Sequence, residues 1–131
     1  MLLVECSVEY WEFVRNCRND PKNSHGFIKN KFITKEMQCK YMSKYHDCFR
    51  ISLLDGVPCG YVGVINNDIR ICTQKKFQGK GVGKFMLSEA SDIWPEAIGR
   101  VKKDNKASQA LFISAGFREI QRDNEFIFYA R

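Results

Sequence analysis

The feature that most constrains this chain is a strand, a glycine-bearing loop and a helix in direct succession near its middle. Asp68 to Thr73 reads as a strand with Ile69 and Ile71 on one face. Gln74 to Gly81 is polar and contains glycine. From Val82 the apolar positions Val82, Phe85, Met86, Ala90 and Ile93 follow a helical period until Pro95 stops it. Gly79, Gly81 and Gly83 occupy alternate positions at the helix start, among Lys75, Lys76, Lys80 and Lys84. The first amides of a helix lack internal acceptors, and the helix dipole adds partial positive charge there. Glycines let a backbone approach an anion closely. A pyrophosphate suits this environment.

Two other phosphate loops are excluded. A Walker loop requires Ser or Thr after Gly-Lys, and Gly83-Lys84 is followed by Phe85. A dinucleotide fingerprint requires Gly-x-Gly-x-x-Gly behind a first strand, and both the spacing and the mid-chain position differ here.

The flanking sequence supplies the rest of an α/β pattern. Leu2 to Cys6 reads as a strand, and Ser7 as a cap for a helix over Val8 to Arg18 that Asn19-Asp20-Pro21 breaks. Lys22 to Asn30 reads as irregular. Thr34 caps a second helix to about Tyr45, with Met37, Tyr41 and Met42 on one face. Phe49 to Leu54 and Tyr61 to Ile65 form a hairpin around Asp55-Gly56, and Asn66-Asn67 turns the chain into the strand at Asp68. Ala97 to Val101 is a further strand. Asn105 caps a helix bearing Ser108, Leu111, Phe112 and Ala115, which Gly116 closes. Arg118 to Arg122 and Glu125 to Ala130 pair around Asp123-Asn124. The fold class is therefore mixed α/β: a single, mostly antiparallel sheet with helices on both faces.

The 131 residues fit one domain with one core. No apolar stretch approaches the ~20 residues that span a membrane. Met1 to Glu5 lacks the basic and apolar regions of a signal peptide, so the expected location is cytoplasmic. The six cysteines form no Cys-x-x-Cys pair and no group with His25 or His46, which argues for reduced, packed thiols and against zinc. The net charge of +6 suits an anionic ligand. The basic residues are scattered, which disfavours a nucleic-acid face.

The loop Gln78-Gly79-Lys80-Gly81-Val82-Gly83 resembles the Gln/Arg-x-x-Gly-x-Gly/Ala motif of the GNAT acetyltransferase superfamily. A second block resembles the same family: Asn105, Ser108, Leu111-Phe112 and Gly116-Phe117. The likeness is good over residues 49–131 and looser before. It implies a GNAT-like fold, with residues 1–48 as the acceptor side and 49–131 as the acetyl-CoA-binding core. The implied activity is transfer of acetyl from acetyl-CoA, a co-substrate, to a primary amine.

The resemblance also implies roles. Backbone from Gln78 to Lys84 would hold the CoA pyrophosphate: Gln78, Gly79, Lys80, Gly81, Val82, Gly83 and Lys84. Ile71, Cys72 and Thr73 would line the pantetheine arm, which enters a splayed gap before Ala97 to Val101. Asn105 and Phe112 would lie near the cofactor. Family members often keep a Glu near the start of this strand; Asp68 stands about there and would accept the amine proton, directly or through water. Asp68 equally suits the turn Asn66-Asn67-Asp68. Many members carry a proton-donating Tyr where this chain has Phe112, which cannot donate. Water or another group would then serve, or the thiolate would depart unaided; Tyr61 and Tyr129 are candidate stand-ins, with core packing the favoured reading of each.

Phe13-Val14-Arg15, Arg18-Asn19-Asp20, Phe27-Ile28 and Ile33-Thr34 resemble members that acetylate nucleotide-linked amino sugars. Gln38 and Tyr41 depart from the His and Trp of that subgroup. Asn19, Asp20, His25, Gln38 and Tyr41 are the candidate acceptor contacts. The implied partner is a small-molecule amine, with a nucleotide sugar leading. A protein, polyamine or aminoglycoside amine is the alternative acceptor, and a non-catalytic acyl-CoA-binding module the alternative role. Such domains occur as monomers or homodimers.

Overall fold

The computed structural model of the chain describes residues 1–26 and 32–131. Strand β1 (Leu2–Glu5) leads through a 3-10 turn at Val8–Tyr10 into helix α1 (Trp11–Asn19), and a second 3-10 turn covers Pro21–Gly26. Helix α2 (Lys35–Tyr45) precedes strands β2 (Phe49–Leu54), β3 (Val57–Ile65) and β4 (Asp68–Thr73). Helix α3 (Val82–Ile93), strand β5 (Gly99–Lys102), helix α4 (Lys106–Ser114), and strands β6 (Arg118–Arg122) and β7 (Phe126–Ala130) complete the order.

Local chemistry explains most boundaries. Thr34 accepts from the Met37 amide at 3.2 Å, and Asn105 from the Ser108 amide at 3.1 Å, so both expected caps form. Ser7 does not cap: its hydroxyl donates to Glu9, and the first turn after it is 3-10 rather than α. Asn66 and Asn67 both take positive φ (53° and 62°), the two-residue hairpin geometry that turns β3 into β4. On α2 the inward face is carried by Gln38 and Met42. Met37, expected inside, is 38% exposed.

The strands form two antiparallel ladders, β1-β2-β3-β4 and β5-β7-β6. They meet at a parallel bridge between Asp68 and Ile98, where the Ile69 amide donates to the Ile98 carbonyl (2.9 Å) and the Ile98 amide to the Asn67 carbonyl (2.7 Å). The expected sheet is thus continuous at one end of β4 and split along the rest. Expected strand Ala97 to Val101 starts its ladder two residues later, because Ile98 is taken up by this bridge.

Two cores flank the first ladder. Val62, Val64 and Ile69 pack against Val82, Met86, Leu87 and Ala90 of α3, and this core continues to Phe112, Ile127 and Tyr129. On the opposite face Phe49, Ile51, Tyr61 and Cys72 pack against Val14, Cys17 and Met42 of α1 and α2. Among the described residues no helix is long and apolar enough to cross a membrane.

Candidate functional site

Beyond β4 the chain makes a 3-10 turn at Lys75–Phe77, tied to β3 by the Gln74 amide on the Cys59 carbonyl (2.8 Å). Gly79 and Gly81 then take φ of 82° and 81°, a backbone region that costs other residues strain. A Cβ at Gly79 would meet nothing within 4 Å, and one at Gly81 only the Met1 methyl at 4.0 Å. Conformation, not crowding, therefore demands glycine here, and the loop surface is open to an incoming group. The first helical bond of α3 runs from the Phe85 amide to the Gly81 carbonyl (3.1 Å). Among the described residues, the amides of residues 79–84 donate to no protein acceptor. Lys75 and Lys84 line the cavity beside them, and Lys80 lies outside its wall. This array of free amides and ammonium groups fits a pyrophosphate. Gly83 has a further duty, because a Cβ there would lie 3.0 Å from both Leu111 methyls. It lets α3 and α4 approach.

A cavity of about 1060 Å³ runs from this loop along β4 to the α1–α2 face. Ile71, Cys72 and Thr73 line it, as do Gln78, Gly79, Gly81, Val82 and Gly83. Period two along β4 turns the Ile71 and Thr73 amides the same way as that of Ile69, toward β5. Past the bridge β5 pairs only with β7, so the two facing edges are free to bond a peptide-like arm such as pantetheine. Asn105 caps α4 from the cavity wall. Phe112 reaches the wall as well, but 97% of it is covered: it stacks on Tyr129 (5.5 Å), meets Phe117 edge-on (5.2 Å), and lies over Gly99.

Asp68 lies where the two ladders join. Its Oδ2 is 3.9 Å from Arg70 Nε and 4.0 Å from Arg100 Nη2. Among the described residues it is the one anionic side chain in a cavity also lined by Arg18, Lys22, Arg70, Lys75, Lys84, Arg100 and Lys102. Arg70 also donates to the Tyr41 hydroxyl at 3.3 Å.

The sequence-derived acceptor contacts divide. Gln38 and Tyr41 line the cavity, although the Gln38 amide is buried and ties α2 to α1 through the Trp11 carbonyl (2.8 Å). Asn19 and Asp20 are not on the cavity wall. Asn19 donates to the Ile33 carbonyl and accepts from the Ile33 amide, both at 2.8 Å. Asp20 accepts from the Lys22 amide at 2.9 Å, which opens the following turn. Both are structural clamps around the end of α1. The His25 side chain and the Phe27-Ile28 pair lie outside the described residues.

Residues the sequence did not single out complete the wall. Arg70 and Arg100 were legible in principle, as strand positions alternate with the buried Ile69 and Val101. Asn23 carried no signal: its amide donates to the Cys17 carbonyl (3.1 Å), while its Oδ1 is buried with no partner among the described residues. Of the two stand-in tyrosines, Tyr129 is absorbed in the Phe112 stack and Tyr61 lines the cavity. Burial pushes the Tyr61 phenol well above its ordinary range, so it stays protonated. The neighbouring Cys72 thiol, with burial, holds the Cys17 thiol far above its ordinary value. The six cysteines are free.

The geometry has close parallels. A ribosomal-protein-alanine N-acetyltransferase from Brucella melitensis superposes with a TM-score of 0.84 at 16% identity, covering 98% of both chains. The Salmonella typhimurium protein yncA, solved with its cofactor acetyl-CoA, gives 0.81 at 15%, covering 98% of this chain and 91% of that one. Spermidine N-acetyltransferase from Vibrio cholerae, in complex with CoA and spermine, gives 0.78 at 15%, covering 98% and 92%. No curated protein sequence matches the chain. The model of the acetyltransferase (GNAT) family matches residues 9–117, which span the glycine loop, the split between the ladders and the Asn105 block. With that match over a loop and slot fitted to CoA, the chain belongs to the acetyltransferase (GNAT) family and is an acetyl-CoA-dependent N-acetyltransferase.

Proposed function

We propose that this enzyme acetylates the amino group of a nucleotide-linked amino sugar, with residues 1–48 forming the acceptor side and residues 49–131 the acetyl-CoA core. The observation that carries the reading is the unbroken cavity from the glycine loop to the α1–α2 face, cationic and aromatic on the acceptor side. Tyr41 offers a partly exposed ring, backed by the buried Phe49, and Arg18 and Lys22 line the same side, a combination that suits a base and a diphosphate. The neighbours' acceptors, a ribosomal-protein alanine and spermidine by their names, make a protein or polyamine amine the second reading.

Acetyl-CoA supplies an activated acyl group as its thioester. Amides from Gly79 to Lys84 bind the pyrophosphate, and the free β4 edge at Ile71 and Thr73 orients the arm. An amine attacks only when neutral. Asp68, at the closed end of the slot, takes its proton directly or through one water. Phe112 has no proton to give, and the Tyr61 phenol holds its own too tightly, so the leaving thiolate departs unaided or takes a proton from water.

The test is a thiol-release screen with acetyl-CoA over nucleotide-linked amino sugars, polyamines, aminoglycosides and peptides. Turnover is expected on the first group, and turnover confined to the others removes it. Gly81→Asp places a carboxylate at the pyrophosphate and should abolish the thermal shift given by acetyl-CoA. Unchanged binding in that variant would sink the loop assignment. Asp68→Asn should lower the rate most below neutral pH, where the amine is mostly protonated. A wild-type pH profile would remove Asp68 as the proton acceptor.

A further inference from the structure

We infer that the acceptor carries a carboxylate or phosphate close to its amine, and that Arg70 and Arg100 hold it across the closed end of the slot. This rests on the assignment of the α1–α2 face as the acceptor side. On β4, Asp68, Arg70 and Cys72 share one face by alternation, and Cys72 packs with the α1–α2 core. On β5, Gly99 and Val101 are buried, Gly99 under Phe112, which turns Arg100 to the other face, beside Asp68. The two arginines thus come from different ladders to either side of one carboxylate.

Their bonding leaves them short of partners. Distances of 3.9 and 4.0 Å to Asp68 are ion pairs without hydrogen bonds. Each guanidinium has five N–H donors. Arg70 uses one on the neutral Tyr41 hydroxyl. Arg100 rests over the Phe126 ring at 5.0 Å, and no hydrogen bond from it to a described residue forms. Two cations face one anion on the cavity wall, with their side chains 46% and 39% exposed. Exposed pairs this long contribute little to folding. The arrangement lacks one oxyanion, and planar guanidinium forks match a carboxylate or phosphate.

The CoA phosphates do not fill the place. Asp68 and Thr73 are separated by about 16 Å of strand, from a rise of ~3.3 Å per residue. The glycine loop lies beyond Thr73, at the opposite end of the slot. The acid must therefore arrive with the acceptor. The same two charges repel polyamines and other acceptors that carry extra cations.

The test compares matched amines on the intact protein by thiol release: an amino acid with its amide, an amino-sugar phosphate with its parent amino sugar, a nucleotide-linked amino sugar, and spermidine. The acidic member of a pair should have kcat/KM about tenfold or more higher, the worth of one hydrogen bond to a charged group. Arg70→Gln and Arg100→Gln should each raise KM for the acidic member and drive the acidic-to-neutral ratio toward one. KM for acetyl-CoA and its thermal shift should hold, which also reports folding. Arg100→Lys should keep part of the ratio. Arg122→Gln, a change of equal charge at an exposed site, should leave it intact.

Equal use of acidic and neutral members, a preference for spermidine, no thiol release with any acidic amine, or a ratio unmoved in both glutamine variants overturns the inference. So does an Arg122→Gln effect as large as theirs. Strong turnover of the amino acid or sugar phosphate with none of the nucleotide sugar would uphold it, while removing the nucleotide-sugar reading.

Discussion

At the scale of single residues, Gly99 and Phe112 show what sequence conceals. The glycines at 79 and 81 were legible because their spacing sits beside lysines at a helix start. Gly99 carried no such signal. Its need arises only when α4 lays the Phe112 ring on β5, where an added Cβ would fall 2.2 Å from a ring carbon. Gly99→Ala forces that ring out of its stack on Tyr129. It should cost about 1–3 kcal/mol or more, as overpacking does, and lower Tm by several degrees. The measurement is a thermal melt of the purified variant. A Tm equal to wild type would mean that the stack yields freely. Asn19 and Asp20 lie off the cavity wall for a related reason: their clamps reach Ile33 and Lys22, and only the second is a local turn readable in sequence.

At the scale of elements, order and type were legible because α2, α3 and α4 have caps or breakers and β2 to β4 have period-two patterns with turn residues. The caps were correctly read where a polar side chain faces the third amide, and misread at Ser7, where Glu9 takes the hydroxyl. Gln38 was placed among acceptor contacts, yet its position inside α2 follows from the Trp11 carbonyl it bonds, a pairing 27 residues away in sequence. Asn105 belongs to both worlds. It is buried, caps α4, and borders the cavity. Asn105→Ala should destabilise the protein by about 1–2 kcal/mol through the lost cap. It should also weaken acetyl-CoA in calorimetric titration. A stability loss with unchanged affinity would confine Asn105 to the helix.

At the scale of the molecule, the expected strands form in order, but they make two ladders that meet at one bridge and part beyond it, which pattern reading does not register. The split puts a cationic wall and a lone carboxylate around one cavity. Thiols buried in the core set the alkaline limit. Burial pushes Cys6 from an ordinary 9.0 up to about 11, and Cys17 and Tyr61 shift in the same direction. A raised value means the folded state favours the protonated form. The stability this gives is complete below pH 9 and is lost as the pH climbs toward 11. Chemical denaturation should therefore show a plateau near neutrality and a fall over pH 9–11, lessened in Cys6→Ala. A flat profile to pH 11 would contradict the burial argument.

The bridge at Asp68 and Ile98 has a mechanical consequence. The facing strand edges are joined by backbone at one bridge, while a shared core holds the ladders together beneath it, so a ligand lying between the open edges of β4 and β5 would act as a rivet. Amide hydrogen exchange should report it: the Ile71 and Thr73 amides ought to exchange quickly in the free protein and slow sharply with acetyl-CoA. Binding to the folded state alone also raises global stability by RT ln(1 + [L]/Kd), about 2.7 kcal/mol at a hundredfold excess over Kd. Slowing that spares these two amides would mean that the halves are held shut by something other than the arm.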